Sequence, residues 1–185
     1  MKSQANFTHH FLLPSTQMAD DRFTDALIYL CRHNADGAWG FVVNRPLSSS
    51  VGGLLAELDL PVTAKAMQTL AMDGGPVRPD AGFVLHTGQP DYKSSFVISE
   101  NVCLTTSKDI LQQLAFDGLS HYLLCMGYCN WGRGQLDAEI RAGDWHVCPA
   151  DLPTLFMTPF DERLKACYDK LGIDLDRLTD SFGYA

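Results

Sequence analysis

Residues 127–140, GYCNWGRGQLDAEI, set glycines at 127, 132 and 134 around Trp131, between an apolar run and a helical pattern. A strand delivered to Gly127 and a helix opening at Trp131 would offer unpaired N–H groups and the positive end of a helix dipole to an anion. Gly132 and Gly134 would let a ligand approach the backbone, and Gln135 would add a donor. The spacing lacks the third glycine of a dinucleotide fingerprint, and no Gly-Lys-[Ser/Thr] follows as in a phosphate-binding loop. The competing reading is a tight turn with Trp131 plugging the core, and it is preferred on spacing alone.

Other residues suit other chemistries. Cys125-x3-Cys129 followed by His146-x-Cys148 supplies soft ligands. Four extended steps of about 3.3 Å, however, hold Cys125 and Cys129 about 13 Å apart, too far for one zinc or a disulfide. Six buried free thiols in a reducing compartment are therefore expected, with no metal and no cofactor. Asn34 beside His33, and Asn44-Arg45-Pro46, provide donors for a carboxylate or phosphate; turn chemistry explains them equally well. Gly74-Gly75-Pro76 could form a backbone nest for an anion or a plain loop. His86, on a strand, is the histidine placed to act as a base, although a lone strand histidine is more often a satisfied core residue. No nucleophile elbow, His-Glu-x-x-His or paired-carboxylate motif is present.

These residues need elements to hold them. His9–Leu13 reads as a strand stopped by Pro14. Residues 25–34 and 38–44 read as a hairpin around Asp36-Gly37. Residues 49–58 form a helix start that a serine can cap. Strands follow at 82–87, 95–99 and 101–106, then a helix after Ser107 stopped by Asp117-Gly118. A buried strand covers 121–128, the glycine-rich helix comes next, and a strand covers 144–148. The last helix, 159–172, carries Leu164, Cys167, Tyr168 and Leu171 on one stripe and stops at Gly172. The order predicts a single α/β or α+β domain over 1–185, with a mixed central sheet flanked by helices.

The bulk numbers exclude several classes. The 185 residues are 46% apolar and 19% charged, which suits a globular domain. A net charge of −8 with no Lys/Arg cluster opposes direct nucleic-acid binding. No apolar run approaches the roughly 18 residues needed to span a bilayer, and the N-terminal stretch is too polar for a secretory signal. A cytoplasmic protein is expected.

The strings LIYLCRHN (27–34), GAWGFVVNRP (37–46), GGPV (74–77), GFVLH (82–86), GYCNWGRGQLDAEI (127–140) and SFGYA (181–185) together resemble the AlgH/YqgE family of bacterial proteins, in the same order and over nearly the whole chain. The resemblance implies a small cytoplasmic protein of mixed α/β fold. One branch is named as a transcriptional regulator of alginate synthesis, and no accepted reaction or cofactor comes with the family. The chain departs from the family pattern at Asp21, Arg32, Cys129, Asn130 and Arg133. Cys129 in particular argues against a Cys125/Cys129 centre as a shared function.

The expectation is a non-enzymatic regulatory or ligand-binding protein. Its site for a small anion or metabolite would be built from Asn34, Asn44, Arg45, Gly74, Gly75, Pro76, His86, Trp131, Gly132 and Gln135, and regulation would run through a protein partner. The alternative is an enzyme using His86 or His33 as a general base in the same polar pocket.

Overall fold

The computed structural model describes residues 5–116 and 118–180, the side chains of 178–180 excepted. Asp117, proposed as a helix stop, and the 181–185 motif lie outside the described residues.

The strands are β1 (His10–Pro14), β2 (Ile28–Asn34), β3 (Gly37–Val42), β4 (Pro46–Ser50), β5 (Leu70–Asp73), β6 (Val77–His86), β7 (Ser95–Ser99), β8 (Val102–Thr105), β9 (Tyr122–Trp131) and β10 (Trp145–Pro149). The helices are α1 (Val51–Glu57), α2 (Ala64–Gln68), α3 (Leu111–Ala115), α4 (Gln135–Ala142), α5 (Arg163–Lys170) and α6 (Leu175–Asp180). The strand order is β10-β1-β2-β3-β9-β6-β8-β7, with β4 and β5 off this path. All pairs are antiparallel except β5 with β9, where Met72 faces Cys125 in parallel. The result is one curled, mainly antiparallel sheet with several short helices, an α+β domain.

Local rules account for much of this. The β2–β3 hairpin closes with Asn34 opposite Gly37, so the loop is Ala35-Asp36 and Gly37 already belongs to the strand. Ser50 caps α1, its Oγ accepting the Gly53 N–H at 3.0 Å, a contact typically contributing about 1 kcal/mol. The α5 stripe buries Cys167 and Tyr168 in the main apolar cluster with Phe11, Leu13, Tyr29 and Leu85. A second cluster joins Val51 and Leu55 of α1 and Leu114 of α3 to Val84 and Leu124 of the sheet. A third gathers Leu12, Ile28, Trp131, Leu136 and Trp145.

Several expectations need correction. β9 does not end near Tyr128; it continues to Trp131, and the helix opens only at Gln135. The reason is a change of partner. The N-terminal part of β9 pairs with β6, while Cys129, Asn130 and Trp131 pair with β3, so the ladder carries on past Gly127. Ser107 makes no capping bond; its Oγ instead accepts the Ser94 N–H and donates to Asp109. The helix expected over 159–172 starts at Arg163 and ends at Lys170, and it is not the last, since α6 follows it.

Candidate functional site

The expected residues fall in separate places. His86 pairs with Tyr122 at one end of β9 and Trp131 closes the other. Nine strand steps of about 3.3 Å separate those ends by on the order of 30 Å. The single polar pocket under Trp131 is therefore not what the fold builds.

Most of the polar groups are spent on the protein itself. Asn44 accepts the Leu27 N–H at 2.8 Å and donates to the Asp25 carbonyl at 2.8 Å. The guanidinium of Arg45 donates to the carbonyls of Arg22 and Thr24. Asn34 accepts the Asp36 N–H at 2.9 Å, which is turn chemistry. Gln135 accepts the Gly132 N–H and donates to Glu139, each at 3.0 Å. The other Glu139 oxygen accepts both indole N–H groups, from Trp131 at 2.9 Å and Trp145 at 2.8 Å. A carboxylate of the chain thus holds the 127–140 turn where an external anion was expected. Asn34 and Trp131 do share the lining of a shallow hollow of about 330 Å³ at the hairpin tip, with Asp36 and Asn130.

The Gly74-Gly75-Pro76 loop is not an open nest. Gly74 donates to the Met126 carbonyl and accepts from Val42. A Cβ on Gly75 (φ +150°) would lie 2.4 Å from the Tyr128 carbonyl. These glycines let two backbones cross closely.

The histidines are equally committed. His86 is fully buried; Nδ1 lies 2.9 Å from the Thr87 carbonyl and Nε2 2.8 Å from the Thr105 hydroxyl. A carbonyl only accepts, so Nδ1 carries the proton and Nε2 accepts from Thr105, which in turn accepts from Ser95. Burial lowers the His86 pKa, in keeping with a neutral ring. His33 accepts the Phe7 N–H at Nδ1, leaving Nε2 to donate to Asp137 at 3.2 Å. All six cysteines are free and buried, and burial pushes Cys125, Cys129 and Cys167 up to about 12. Among the described residues no group of three or more His, Cys, Asp or Glu side chains could hold a metal ion.

The feature best shaped for a ligand lies elsewhere. A cleft of about 500 Å³ opens between α1, the start of β6 and the segment after β8, within the usual range for small-molecule sites. Val84, Leu124 and Met126 belong to the sheet side, and Leu54, Leu55, Leu58, Ile110 and Leu111 line the helical walls. Arg78, Asp80, Glu57 and Lys108 bring charge to it. Thr105 lines the cleft too, with His86 behind it.

A large bulge in β6 builds this site. Val77 faces Tyr128 and Gly82 faces Met126, so Arg78 to Ala81 all lie against the single residue Gly127. Bulges re-aim side chains in this way, often beside functional sites. Gly127 (φ +75°) makes room: a Cβ there would meet the Gly75 carbonyl at 2.4 Å and Pro79 Cα at 3.1 Å. Arg78 takes a left-handed φ of +46°, a conformation that costs an ordinary L-residue about 1–2 kcal/mol. It also borders a hollow of about 280 Å³ with Trp39, Phe83, Tyr128 and Asn130, and so stands between that hollow and the cleft. Sequence reasoning passed over Arg78-Pro79-Asp80. A proline within a strand pattern was the available signal, since it marks an edge or a bulge.

No helix among the described residues is long and apolar enough to cross a membrane. The profile of the AlgH-like family matches residues 11–176. A UPF0301 protein of Psychrobacter cryohalolentis is 55% identical over 186 residues, covering 99% of this chain and all of that protein. Another, from Thioalkalivibrio sulfidiphilus, is 39% identical over the full length of both. Among solved structures, the AlgH protein from Pseudomonas aeruginosa superposes with a TM-score of 0.80 at 37% identity, with 100% of each chain covered. A protein of Corynebacterium diphtheriae at 20% identity shares the fold, with a TM-score of 0.64 over 86% of this chain and 83% of that one. The chain therefore belongs to the AlgH-like, or UPF0301, family.

Proposed function

We propose that the protein binds a small amphipathic metabolite in the cleft between α1, the β6 bulge and the segment after β8, without turning it over, and serves as a regulatory binding protein. The observation that carries this reading is the strained Arg78, set by a dedicated bulge at an apolar cleft of about 500 Å³. Strain of this kind concentrates at functional sites because a packed frame must hold it. The apolar walls suit a hydrocarbon body, and Arg78 and Lys108 suit an anionic group. Asp80 and Glu57 balance them, which favours a molecule bearing both signs of charge over a bare anion. An enzyme using His33 or His86 as a base finds less support, because both nitrogens of each ring are engaged within the protein.

A regulatory output is suggested by the name carried by one branch of the family. The net charge of −8 favours a protein partner over direct contact with DNA. Thermal-shift titration against a panel of amphipathic zwitterions and carboxylates tests the cleft. A binder is expected, and R78A and K108A should each weaken it about tenfold, as the loss of roughly 1.4 kcal/mol implies. A binder whose affinity neither substitution changes would move the site elsewhere.

A further inference from the structure

Most polar groups near the Trp131 turn are bonded within the protein, but those around one aromatic hollow are not. The hollow of about 280 Å³ is lined by Trp39, Arg78, Phe83, Tyr128 and Asn130. Among the described residues, the Trp39 indole N–H, the Tyr128 hydroxyl, the Asn130 amide and the Arg78 guanidinium have no hydrogen-bond or ion-pair partner in the protein. The indoles of Trp131 and Trp145, by contrast, both donate to Glu139. A few convergent polar groups on an apolar concave surface are the usual make-up of a small-molecule site.

The aromatic wall is held in place. Trp39 packs on Phe41 with ring centroids 6.1 Å apart, Phe41 on Phe83 at 5.4 Å, and Phe83 on Tyr128 at 5.6 Å. Phe41 is fully buried and anchors this arc to the core, while Trp39, Phe83 and Tyr128 are half-buried. Trp39 faces Asn130 across the β3–β9 ladder, so ring and amide share one side of the sheet. Rings fixed before binding lose little freedom when a ligand arrives, and a flat ring packed against them gains stacking contact.

Charge narrows the ligand. Three aromatic rings alone would suit a quaternary ammonium, but the only charged side chain lining the hollow is the cation Arg78. The ligand is therefore a flat ring joined to an anion. A guanidinium pairs with phosphate through two parallel N–H bonds. An asparagine amide, donor and acceptor together, matches the donor–acceptor edge of a nucleobase.

We propose that the hollow binds a mononucleotide, with the base against Trp39 and Tyr128, its edge on Asn130 and its phosphate on Arg78. The small volume and the net charge of −8 favour a single nucleotide over a nucleic-acid strand. The site shares Arg78 with the cleft but does not rest on the cleft's being filled. Lys108 lines the cleft and not the hollow, which separates the two.

Calorimetric titration of the full chain with AMP, GMP, CMP and UMP tests this, with the matching nucleosides, inorganic phosphate and indole-3-acetate as comparisons. At least one nucleotide is expected to bind with a dissociation constant below about 1 mM. It should quench tryptophan fluorescence, because Trp39 is half-buried while Trp131 and Trp145 are nearly fully buried. R78A should weaken that nucleotide about tenfold and leave its nucleoside unchanged. R133A removes the same charge from an exposed pair with Asp36 and should change nothing, as should K108A. N130A, at an exposed position, should level the preference among the four bases. W39A should weaken every nucleotide by at least about fivefold through lost stacking. No nucleotide binding up to about 5 mM, affinity unchanged in R78A, or base preference unchanged in N130A would each overturn the proposal. So would indole-3-acetate binding as tightly as the nucleotide, or nucleotide binding lost in K108A.

Discussion

Glu139 takes from Trp131, Trp145 and Gln135 the hydrogen bonds that an anion at the 127–140 turn would have received. Both indoles are nearly fully buried, so E139A leaves two donors unpaired. It should cost about 2–4 kcal/mol, since one unpaired buried donor costs about 1–3. Urea unfolding measures this, and a midpoint equal to the wild type would contradict it. His86 and His9 both have pKa values lowered chiefly by burial. Their unfolded forms take up a proton below about 6.5, whereas the folded forms do so only at lower pH. The stability they contribute is complete above about 6.5 and is lost as pH falls toward the folded values, by at most about 1.4 kcal/mol per pH unit for each ring. Unfolding midpoints between pH 7.5 and 5.0 should fall, and H86Q should flatten the slope. The polar types at 34, 44, 45 and 135 were legible in the sequence as unusual. Their partners were not: Asn44 and Arg45 bond to backbone in the 22–27 segment, a contact made only by folding.

At the scale of elements, β9 explains both what could be read and what could not. Its apolar run announces a buried strand, and β7, the β2–β3 hairpin and the α1 cap all follow from local pattern. The run gives no sign that the strand changes partner past Gly127, because a ladder depends on which strand lies alongside. The β6 bulge is hidden for the same reason: Arg78-Pro79-Asp80 shows no strand pattern of its own, and its place in the sheet is set by Gly127 lying opposite. Two substitutions probe this crossing. G127A forces a Cβ to 2.4 Å from the Gly75 carbonyl at φ +75° and should destabilise by more than about 2 kcal/mol, strain and overpacking together. R78G should stabilise by about 1 kcal/mol by releasing the left-handed arginine, while weakening whatever the cleft binds. Stability gained together with affinity lost marks strain kept for function. An R78G protein less stable than the wild type would remove that interpretation.

For the whole molecule, the sheet places segments 54–58, 78–82 and 105–111 around one cleft. No local pattern joins segments so far apart, which is why residue types and spacing pointed to Trp131 and His86 instead. Gly82 offers a direct way to close the cleft. A Cβ there would sit 3.6 Å from Leu124 Cδ1 and from Met126 Sδ, ordinary contact distances, and its φ is not left-handed. G82F should therefore plant a ring in the cleft without disturbing the fold. The deciding measurement is native mass spectrometry of wild-type and G82F protein, each incubated with a size-filtered bacterial metabolite extract. A mass surplus on the wild type that vanishes on denaturation and is missing from folded G82F is the predicted result. Equal masses for the two proteins, with or without a surplus, would contradict the cleft as the binding site.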